Sequence, residues 1–303
     1  MHIIVAGGTG LIGRALTKSL LAKGHQVWIL TRNPRTARLA EGARGVGWDG
    51  RTITGWGELV SRADAIVNLA GESIASGSWT EARKNRILSS RVEAGKAISD
   101  AIRYAKPRPK VIIQASAVGV YGLHGDEPVT EESAPGHGFL AEVCKAWESS
   151  SQPVEKLGVR RIVIRTGVVL SLEEGALQRM MLPFRLFAGG PLGNGRQGLP
   201  WIHLADEVGC IQFLLENEEA QGVFNLSAPE PISNADFGRV LAKVMRRPYW
   251  LPVPAFALQL MLGEMSTLVL EGQFMLPKRL HGLGFRFRFE TAEAALRDLL
   301  NGQ

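Results

Sequence analysis

The stretch from Val5 to Gly13, Val-Ala-Gly-Gly-Thr-Gly-Leu-Ile-Gly, constrains the fold of this chain more than any other part of the sequence. The short apolar run from His2 to Ala6 predicts a buried parallel strand. Apolar residues at three- and four-residue steps from Leu11 onward predict a helix, which Gly24 ends. A second predicted strand, Gln26 to Leu30, completes a strand–turn–helix–strand unit.

The glycines of this turn fit two phosphate-binding patterns. Gly8, Gly10 and Gly13 fit G-x-G-x-x-G, and Gly7, Gly10 and Gly13 fit G-x-x-G-x-x-G. Residues without a Cβ let the backbone bend tightly and approach a pyrophosphate, which the positive end of the following helix attracts. A tight turn that binds no ligand is the alternative. The strand before the turn and the helix after it favour the dinucleotide-binding interpretation.

The end of the second predicted strand indicates which dinucleotide is preferred. An NAD-type fold has an acidic residue about twenty residues past the glycines, where it binds the ribose 2′-hydroxyl. This chain has Thr31 and Arg32 there instead, with Arg35 just beyond. A hydroxyl and guanidinium groups suit a 2′-phosphate, and a solvated loop arginine is the alternative. The sequence therefore predicts a preference for NADP(H).

Alternating strands and helices predict an α/β fold, namely a Rossmann-type doubly wound parallel sheet with a smaller C-terminal substrate lobe. Further strands are predicted at 45–48, 63–69, 111–115 and 161–166, and a long helix from about residue 80 to 104. We expect residues 1–166 to form the NADP(H)-binding domain and residues 167–303 the lobe, with later segments contributing strands. On the long helix, Arg91 is the basic residue that we expect to turn inward.

The composition argues against several classes of protein. Two cysteines among 303 residues give no disulfide framework and no metal-ligand spacing, so we predict no metal site and a cytoplasmic protein. The basic residues are scattered despite a net charge of +6, which argues against a nucleic-acid partner. The longer apolar stretches are interrupted or too short to span a bilayer, so we expect no membrane partner. We expect a monomer or homodimer that acts on an unidentified small molecule.

Three motifs, in this order, resemble those of the extended short-chain dehydrogenase/reductases. They are Gly-Gly-Thr-Gly-Leu-Ile-Gly, Asn68-Leu-Ala-Gly and Ser116-Ala-Val-Gly-Val-Tyr-Gly. Six further motifs restrict this resemblance to one branch of the superfamily. They are Arg165-Thr-Gly-Val-Val-Leu, Leu182-Pro-Phe-Arg-Leu, Pro200-Trp-Ile-His-Leu-Ala-Asp, Trp250-Leu-Pro-Val-Pro-Ala-Phe, Leu270-Glu-Gly-Gln and Leu276-Pro-Lys-Arg. Together these motifs resemble the atypical branch called family 39U, whose members are titled "epimerase family protein" or "cell-division-inhibitor-like". The resemblance covers essentially the whole chain.

This resemblance implies a Rossmann domain that binds NADP(H), followed by a C-terminal substrate lobe. It implies that Thr9, Gly10, Leu11 and Ile12 bind the pyrophosphate, in the turn that begins at Gly7 and ends at Gly13. It also implies that Thr31 and Arg32 bind the 2′-phosphate. It also implies that Leu69, Ala70 and Gly71 line the ribose and nicotinamide, with Arg91 and Val169 completing the pocket. One departure is Ala6, where the broader superfamily usually has a threonine that supports the turn.

The catalytic pair of that superfamily is missing from this sequence. The superfamily uses a tyrosine four residues before a lysine, because the ammonium lowers the tyrosine pKa and lets the phenolate exchange a proton with substrate. None of the three tyrosines, Tyr104, Tyr121 and Tyr249, is followed by a lysine at that spacing. In the helix predicted at 139–148, Lys145 is present, but Ala141 lies four residues before it.

Tyr121, Ser116 and Lys145 are the candidate catalytic residues that remain. Tyr121 is the only phenol expected near the nicotinamide, and without a lysine partner it would act better as an acid than as a base. Ser116 lies one residue before the usual hydroxyl position, which is Ala117. The alternatives are a packing role for Tyr121 and a solvated position for Lys145. His203 is either an acid–base group or a hydrogen-bonded structural histidine before a helix.

Two segments of the predicted lobe have distinctive compositions. The glycine-rich segment 189–195 predicts a flexible loop that closes over a substrate. The Met- and Leu-rich segment 255–270 predicts a helix in the core of the lobe or a dimer face, rather than a membrane element.

Two functions from different classes are compatible with these residues. The first is an NADP(H)-dependent oxidoreductase or epimerase acting on a sugar-nucleotide-like or other small carbonyl or hydroxyl substrate. The second is an NADP(H)-binding module that senses the cofactor or works through a protein partner. The missing tyrosine–lysine pair favours the second function, whereas the loop at 189–195 and the full lobe favour the first.

Overall fold

The computed structural model describes residues 1–301, which form an α/β fold around a parallel sheet. The strands are β1 (His2–Ala6), β2 (Gln26–Thr31), β3 (Arg44–Gly47), β4 (Ala65–Asn68), β5 (Val111–Ala117), β6 (Pro128–Val129), β7 (Arg160–Thr166), β8 (Val168–Leu170), β9 (Trp201–His203), β10 (Gly222–Leu226) and β11 (Phe274–Met275). The helices are α1 (Leu11–Ala22), α2 (Glu81–Tyr104), α3 (Phe139–Ser150), α4 (Ala176–Arg185), α5 (Leu204–Glu216), α6 (Asn234–Met245), α7 (Ala255–Leu262), α8 (Thr267–Leu270), α9 (Lys278–Gly282) and α10 (Ala292–Asn301).

The main sheet has seven parallel strands in the order β3-β2-β1-β4-β5-β7-β10. The chain moves outward from β1 to β3, then returns to the other side of β1 with β4. This reversal creates a crevice at the carboxyl ends of β1 and β4, which is where doubly wound folds bind their ligands. The prediction of a Rossmann-type doubly wound sheet is therefore confirmed.

Helices cover both faces of this sheet, and β1, β4 and β5 accordingly carry consecutive apolar residues that are buried on both faces. On one face, Leu16 and Leu20 of α1 and Leu214 of α5 pack on Ile3 and Val5. On the opposite face, α2 packs through Ile98 and Ile102 on Ile4, Ile66 and Ile112. The sheet is thus the middle layer of three, and its carboxyl edge is left open to a ligand.

The lobe has its own apolar core, built around α4, α6 and α10. Leu177, Phe184, Phe237, Leu241 and Leu296 are buried together there. The small parallel pair formed by β8 and β9 lies between this core and the main sheet. After β9 the chain returns to the main sheet, where α5 covers one face and β10 adds the outer strand.

The segment 255–270 differs from the single helix that its apolar composition predicts. The structure has α7, a 3₁₀ turn at Gly263–Ser266 and the short α8. Gly263 adopts a positive φ of 56°, which ends α7. No helix in the described range of 1–301 is long and apolar enough to cross a membrane.

Candidate functional site

Each glycine of the turn between β1 and α1 has a different structural role. Gly7 has a positive φ of 78°, and a Cβ there would lie 2.6 Å from the carbonyl oxygen of Leu69. A Cβ on Gly13 would lie 2.3 Å from the carbonyl oxygen of Gly7, so α1 packs on the turn only with glycine at that position. Gly8 is also closely packed, since a Cβ there would lie 2.7 Å from Cγ2 of Ile29.

Gly10 is the one glycine of these four that packing within the protein does not require. Its φ of −80° is ordinary for any residue, and a Cβ would meet only the carbonyl oxygen of Gly7, at 3.5 Å. The space above Gly10 is exposed to solvent. A glycine that packing does not need, at the point where a pyrophosphate would cross the backbone, indicates a ligand.

The first turn of α1 offers free N–H groups beside Gly10. The first intrahelical hydrogen bond is donated by the Arg14 N–H to the Gly10 carbonyl, at 2.9 Å. No side chain in the described residues caps the N-terminus of α1 at Gly10, and the first turn of α1 carries no acidic residue. The N–H groups of Leu11 and Ile12 thus lie at a positive helix end that can bind an anion.

Thr31 and Arg32 lie at the carboxyl end of β2, on the same edge of the sheet as the turn. Arg32 lines a surface cavity of about 540 Å³ together with Gly47, Trp48, Asp49, Thr52 and Thr54. The Asp49 carboxylate accepts hydrogen bonds from the N–H groups of Thr52 and Arg51, and these bonds lower its pKa. The exposed guanidinium of Arg32 therefore shares this cavity with the Asp49 carboxylate, which is already hydrogen-bonded to Arg51 and Thr52.

Leu69, Ala70 and Gly71 follow β4 and lie against the turn, since the backbone of Leu69 touches Gly7. Arg91 turns inward from α2, as predicted. Its Nη1 donates to the carbonyl of Glu72 at 2.9 Å, and its guanidinium carbon lies 4.8 Å from the centre of the Trp147 ring. Burial lowers the pKa of this guanidinium.

The loop after β8 also packs against the turn between β1 and α1. Arg14 donates to the Thr9 carbonyl at 2.9 Å and to Glu174 at 3.1 Å. A Cβ on Gly175 would lie 3.6 Å from Leu11 and 3.8 Å from the carbonyl oxygen of Val169. The residues predicted to bind the cofactor thus converge on the crevice at the carboxyl edge of the sheet.

Tyr121 is buried in the protein and does not face this crevice. Its side chain has no exposed surface. Its hydroxyl donates to Oδ1 of Asn225 at 2.6 Å and accepts from Nη1 of Arg165 at 3.1 Å. Burial raises the pKa of the phenol. This is the geometry of a packing residue, and it argues against Tyr121 as the group that exchanges a proton with substrate.

Ser116 belongs to the same buried network. Its hydroxyl donates to Oε1 of Glu148 at 2.7 Å. Glu148 also accepts both a 2.9 Å hydrogen bond from Nε and a 3.0 Å hydrogen bond from Nη2 of Arg165. Arg165 is 6% exposed and Ser116 is 3% exposed. Ser116 therefore stabilises a buried ion pair rather than lining the crevice.

Lys145 has different hydrogen-bond partners from Tyr121 and Ser116. Its ammonium donates to the carbonyl of Gly136 at 3.3 Å and pairs with Glu142 at 2.5 Å. The three candidate catalytic side chains therefore form no hydrogen bond with one another. Two support the buried network, and Lys145 holds the segment before α3.

Leu140 and Cys144 occupy the helix positions that face the end of β5. A Cβ on Gly119, in the 3₁₀ turn after β5, would lie 3.1 Å from Cβ of Leu140 and 3.8 Å from Sγ of Cys144. These two residues are four apart, so they share one face of α3. Burial raises the pKa of the Cys144 thiol to about 11. Their spacing matches that of the missing tyrosine–lysine pair, but neither side chain suits proton transfer at neutral pH.

The sequence hides this pair, because the usual spacing counted back from Lys145 leads to Ala141 rather than to Leu140. Lys145 lies one position further along α3, which rotates a side chain by about 100° around the helix. The available signal was Glu148, which lies four residues after Cys144 and binds Arg165 inside the protein. The Glu148 carboxylate, which is largely buried and paired with Arg165, identifies the inward face of α3, whereas a single lysine does not.

Two other polar groups near the carboxyl edge have structural roles. Nδ1 of His203 accepts from the Ala205 N–H at 3.0 Å and caps α5, which supports the structural interpretation of this histidine. Glu207 is fully buried and accepts from the hydroxyl of Thr166 at 2.9 Å. Burial raises the pKa of Glu207 to about 8, and nothing in the sequence pattern predicted it. Throughout residues 1–301, no group of three His, Cys, Asp or Glu side chains is placed to hold a metal ion.

The glycine-rich segment 189–195 is packed in place, so the prediction of a flexible closing loop is wrong. A Cβ on Gly190 would lie 1.9 Å from the carbonyl oxygen of Leu251. The Gly193 N–H donates to the carbonyl of Val253 at 2.9 Å. Glycines occur here because two backbone segments pass at contact distance. Composition alone does not distinguish this requirement from mobility.

Comparison with known proteins finds relatives over the whole chain. Residues 3–227 match the NAD dependent epimerase/dehydratase family, and residues 253–299 match a domain of unknown function, DUF1731. The chain is 42% identical over 301 residues to the epimerase family protein YfhF of Bacillus subtilis, which covers 99% of this chain and 98% of that protein.

Two solved structures are similar to the full chain. The crystal structure of human epimerase family protein SDR39U1 (isoform2) with NADPH is 33% identical, with a TM-score of 0.90 and complete coverage of both chains. The crystal structure of the nucleoside-diphosphate sugar epimerase from Corynebacterium glutamicum is also 33% identical, with a TM-score of 0.80. That match covers 100% of this chain and 59% of the other.

The buried position of Tyr121 predicts that its hydroxyl stabilises the fold. We expect Tyr121→Phe to lower the free energy of unfolding by about 1–2 kcal/mol, because Asn225 and Arg165 each lose a buried hydrogen-bond partner. Urea unfolding measures the change. Tyr104→Phe is the control, since Tyr104 is 68% exposed and should change stability by less than about 0.5 kcal/mol. Equal stability of both variants and the wild type would contradict the packing role.

Proposed function

Because the chain belongs to the NAD dependent epimerase/dehydratase family, and within it to the short-chain dehydrogenase/reductase branch 39U, we propose that it is an NADP(H)-binding protein without a proton-transfer pair. The observation that carries this proposal is the pairing of Leu140 and Cys144 against the end of β5. The phosphate-binding turn is complete, whereas the position for acid–base chemistry is apolar. We therefore favour a protein that senses the cofactor or acts through a partner.

The proposed cofactor site uses the residues gathered at the carboxyl edge of the sheet. The pyrophosphate would cross Gly10 and accept from the N–H groups of Leu11 and Ile12, with Thr9 beside them. Arg32 and Thr31 would hold the 2′-phosphate. The segment from Leu69 to Gly71, together with Arg91 and Val169, would line the ribose and nicotinamide. The NADPH in the human SDR39U1 structure supports this assignment.

The chemistry of the nicotinamide explains why the missing pair matters. Reduced nicotinamide supplies a hydride, and reduction of a carbonyl also needs a proton at the oxygen. The Cys144 thiol is buried and its pKa is raised to about 11, so it is a weaker acid than a free tyrosine, and Leu140 has no proton to give. Alcohol oxidation is disfavoured as well, because the one carboxylate on this face of α3, Glu148, is already engaged by Arg165 and Ser116.

The second candidate function is an NADP(H)-dependent oxidoreductase or epimerase acting on a small carbonyl or sugar-nucleotide-like substrate. The name of the Corynebacterium glutamicum relative supports it, since that protein is called a nucleoside-diphosphate sugar epimerase. The complete lobe also supports it, because a lobe of this size provides a wall for a second ligand. In this case solvent or the substrate itself would have to supply and accept the proton.

One experiment separates the two functions. We expect NADPH to bind tightly to the wild type without being consumed when a panel of carbonyl compounds and nucleoside-diphosphate sugars is added. Leu140→Tyr with Cys144→Lys places the superfamily pair on the same helix face, and general acid–base groups contribute about 10²–10⁴-fold. Consumption that appears only in this variant would support the proposal. Turnover by the wild type itself would establish the enzyme.

The cofactor preference is tested through Arg32. A charge-assisted hydrogen bond contributes roughly 1.5–3 kcal/mol, so the wild type should bind NADPH at least about tenfold more tightly than NADH. Arg32→Ala should remove most of that difference and leave NADH affinity unchanged. Calorimetric titration measures all four affinities. Arg62→Ala is the matched control, because Arg62 is exposed before β4 at the opposite edge of the sheet. Equal affinity of the wild type for both cofactors would refute the assignment.

The turn is tested by a pair of glycine substitutions. Gly10→Val should abolish NADPH binding while the melting temperature stays near that of the wild type, because only the ligand space is filled. Gly13→Ala should lower the free energy of unfolding by about 1–3 kcal/mol, because its Cβ would press on the Gly7 carbonyl. Undiminished NADPH binding by Gly10→Val would mean that the phosphates bind elsewhere.

A further inference from the structure

The lobe exposes an unusual concentration of apolar side chains. Eleven large hydrophobic residues of the described chain are exposed, and eight of them belong to two short segments at 182–187 and 250–261. They are Leu182, Leu186, Phe187, Trp250, Leu251, Phe256, Leu260 and Met261. Single exposed apolar residues are normal, but a cluster of this size marks a binding surface.

Hydrogen bonds to the backbone join the two segments where residues 187–189 meet residues 250 and 251. The indole N–H of Trp250 donates to the carbonyl of Phe187 at 2.9 Å. The N–H groups of Trp250 and Leu251 both donate to the carbonyl of Gly189, at 2.9 and 3.1 Å. On α7, Leu258 faces inward, while Phe256 and Leu260 are four residues apart and share the outward face.

Three exposed arginines lie among these apolar residues. Arg185 ends α4, and Arg246 and Arg247 precede Trp250 by a few residues. The guanidinium of Arg247 lies 4.5 Å from the centre of the Phe187 ring. None of the three forms an ion pair with any carboxylate of residues 1–301, whereas the nearby Arg239 pairs with Asp236. We call this set of eight apolar residues and three arginines the apolar–arginine face.

The shape and charge of the apolar–arginine face distinguish between occupants. Leu260 is 86% exposed and Met261 is 77% exposed, so these side chains project outward and do not line a groove. A symmetric contact with a second copy would bring two sets of uncompensated arginines together. A soft, negatively charged surface avoids both difficulties, because it accepts projecting side chains and supplies anions for the arginines.

We propose that the apolar–arginine face binds the surface of a membrane containing anionic phospholipids. Leu260, Met261 and Phe256 would enter the boundary between headgroups and acyl chains, and Trp250 would lie at the headgroup level. Arg185, Arg246 and Arg247 would contact lipid phosphates. This contact departs from the sequence-based prediction of no membrane partner, which rested only on the length of the apolar stretches. The inference does not depend on the proposed cofactor.

Vesicle sedimentation with the full chain tests this inference. We expect binding to phosphatidylcholine vesicles that contain about one-third phosphatidylglycerol, weak binding to pure phosphatidylcholine, and weaker binding as salt is raised. Arg246→Gln with Arg247→Gln should lower the partition coefficient about 25-fold, since each arginine contributes about fivefold. Leu260→Ser with Met261→Ser should lower it about 100-fold.

The control is Tyr104→Ser with Leu123→Ser, because both residues are 68% exposed and lie outside the apolar–arginine face. This variant should bind vesicles as the wild type does, and circular dichroism should show that every variant is folded. Absence of vesicle binding by the wild type would overturn the inference. So would an equal loss in the control variant. A dimer in analytical ultracentrifugation that Leu260→Ser with Met261→Ser dissociates, without vesicle binding, would assign the surface to a second copy instead.

Discussion

The close approach of α1 to the turn after β1 is the constraint on which the rest of the site depends. The backbone of Gly13 lies so near the Gly7 carbonyl that no side chain fits between them. This contact fixes the first turn of α1 above the point where β1 and β4 diverge. Gly7 in turn lies against Leu69 after β4, so three segments meet within a few ångströms. The anion-binding end of α1 is therefore positioned by packing contacts within the protein, without any contribution from a ligand.

A buried ion pair explains why the residues that appeared catalytic are not in the crevice. Arg165 and Glu148 join β7 to α3 with two hydrogen bonds. Ser116 donates a further hydrogen bond to Glu148, and Tyr121 accepts one from Arg165. A charged pair inside a protein is tolerated only when its other donors and acceptors are also engaged. The hydroxyl groups of Ser116 and Tyr121 are therefore part of the support of α3, which presents Leu140 and Cys144 to the end of β5.

Much of the fold was predictable because its signals are local. The glycine spacing, the apolar strands and the helix ends predicted the doubly wound sheet, and Arg91 was correctly predicted to turn inward. What failed required knowledge of neighbouring elements. The face of α3 that meets the sheet depends on the contacts of Glu148, and the packing of 189–195 depends on Leu251 some 60 residues later. The end of α7 at Gly263 likewise depends on the backbone conformation of that residue, which the apolar composition of the segment does not indicate.

The return of the chain to the main sheet through α5 and β10 has a consequence for biosynthesis. A ribosome that has released residues 1–166 has made six of the seven sheet strands, but neither α5 nor the outer strand. Until α5 emerges, Leu20, Ile113 and Ile162 on one face lack the cover that it provides in the finished core. The nascent chain therefore carries an uncovered apolar surface through the synthesis of about 40 further residues, a period in which chaperone binding competes with aggregation.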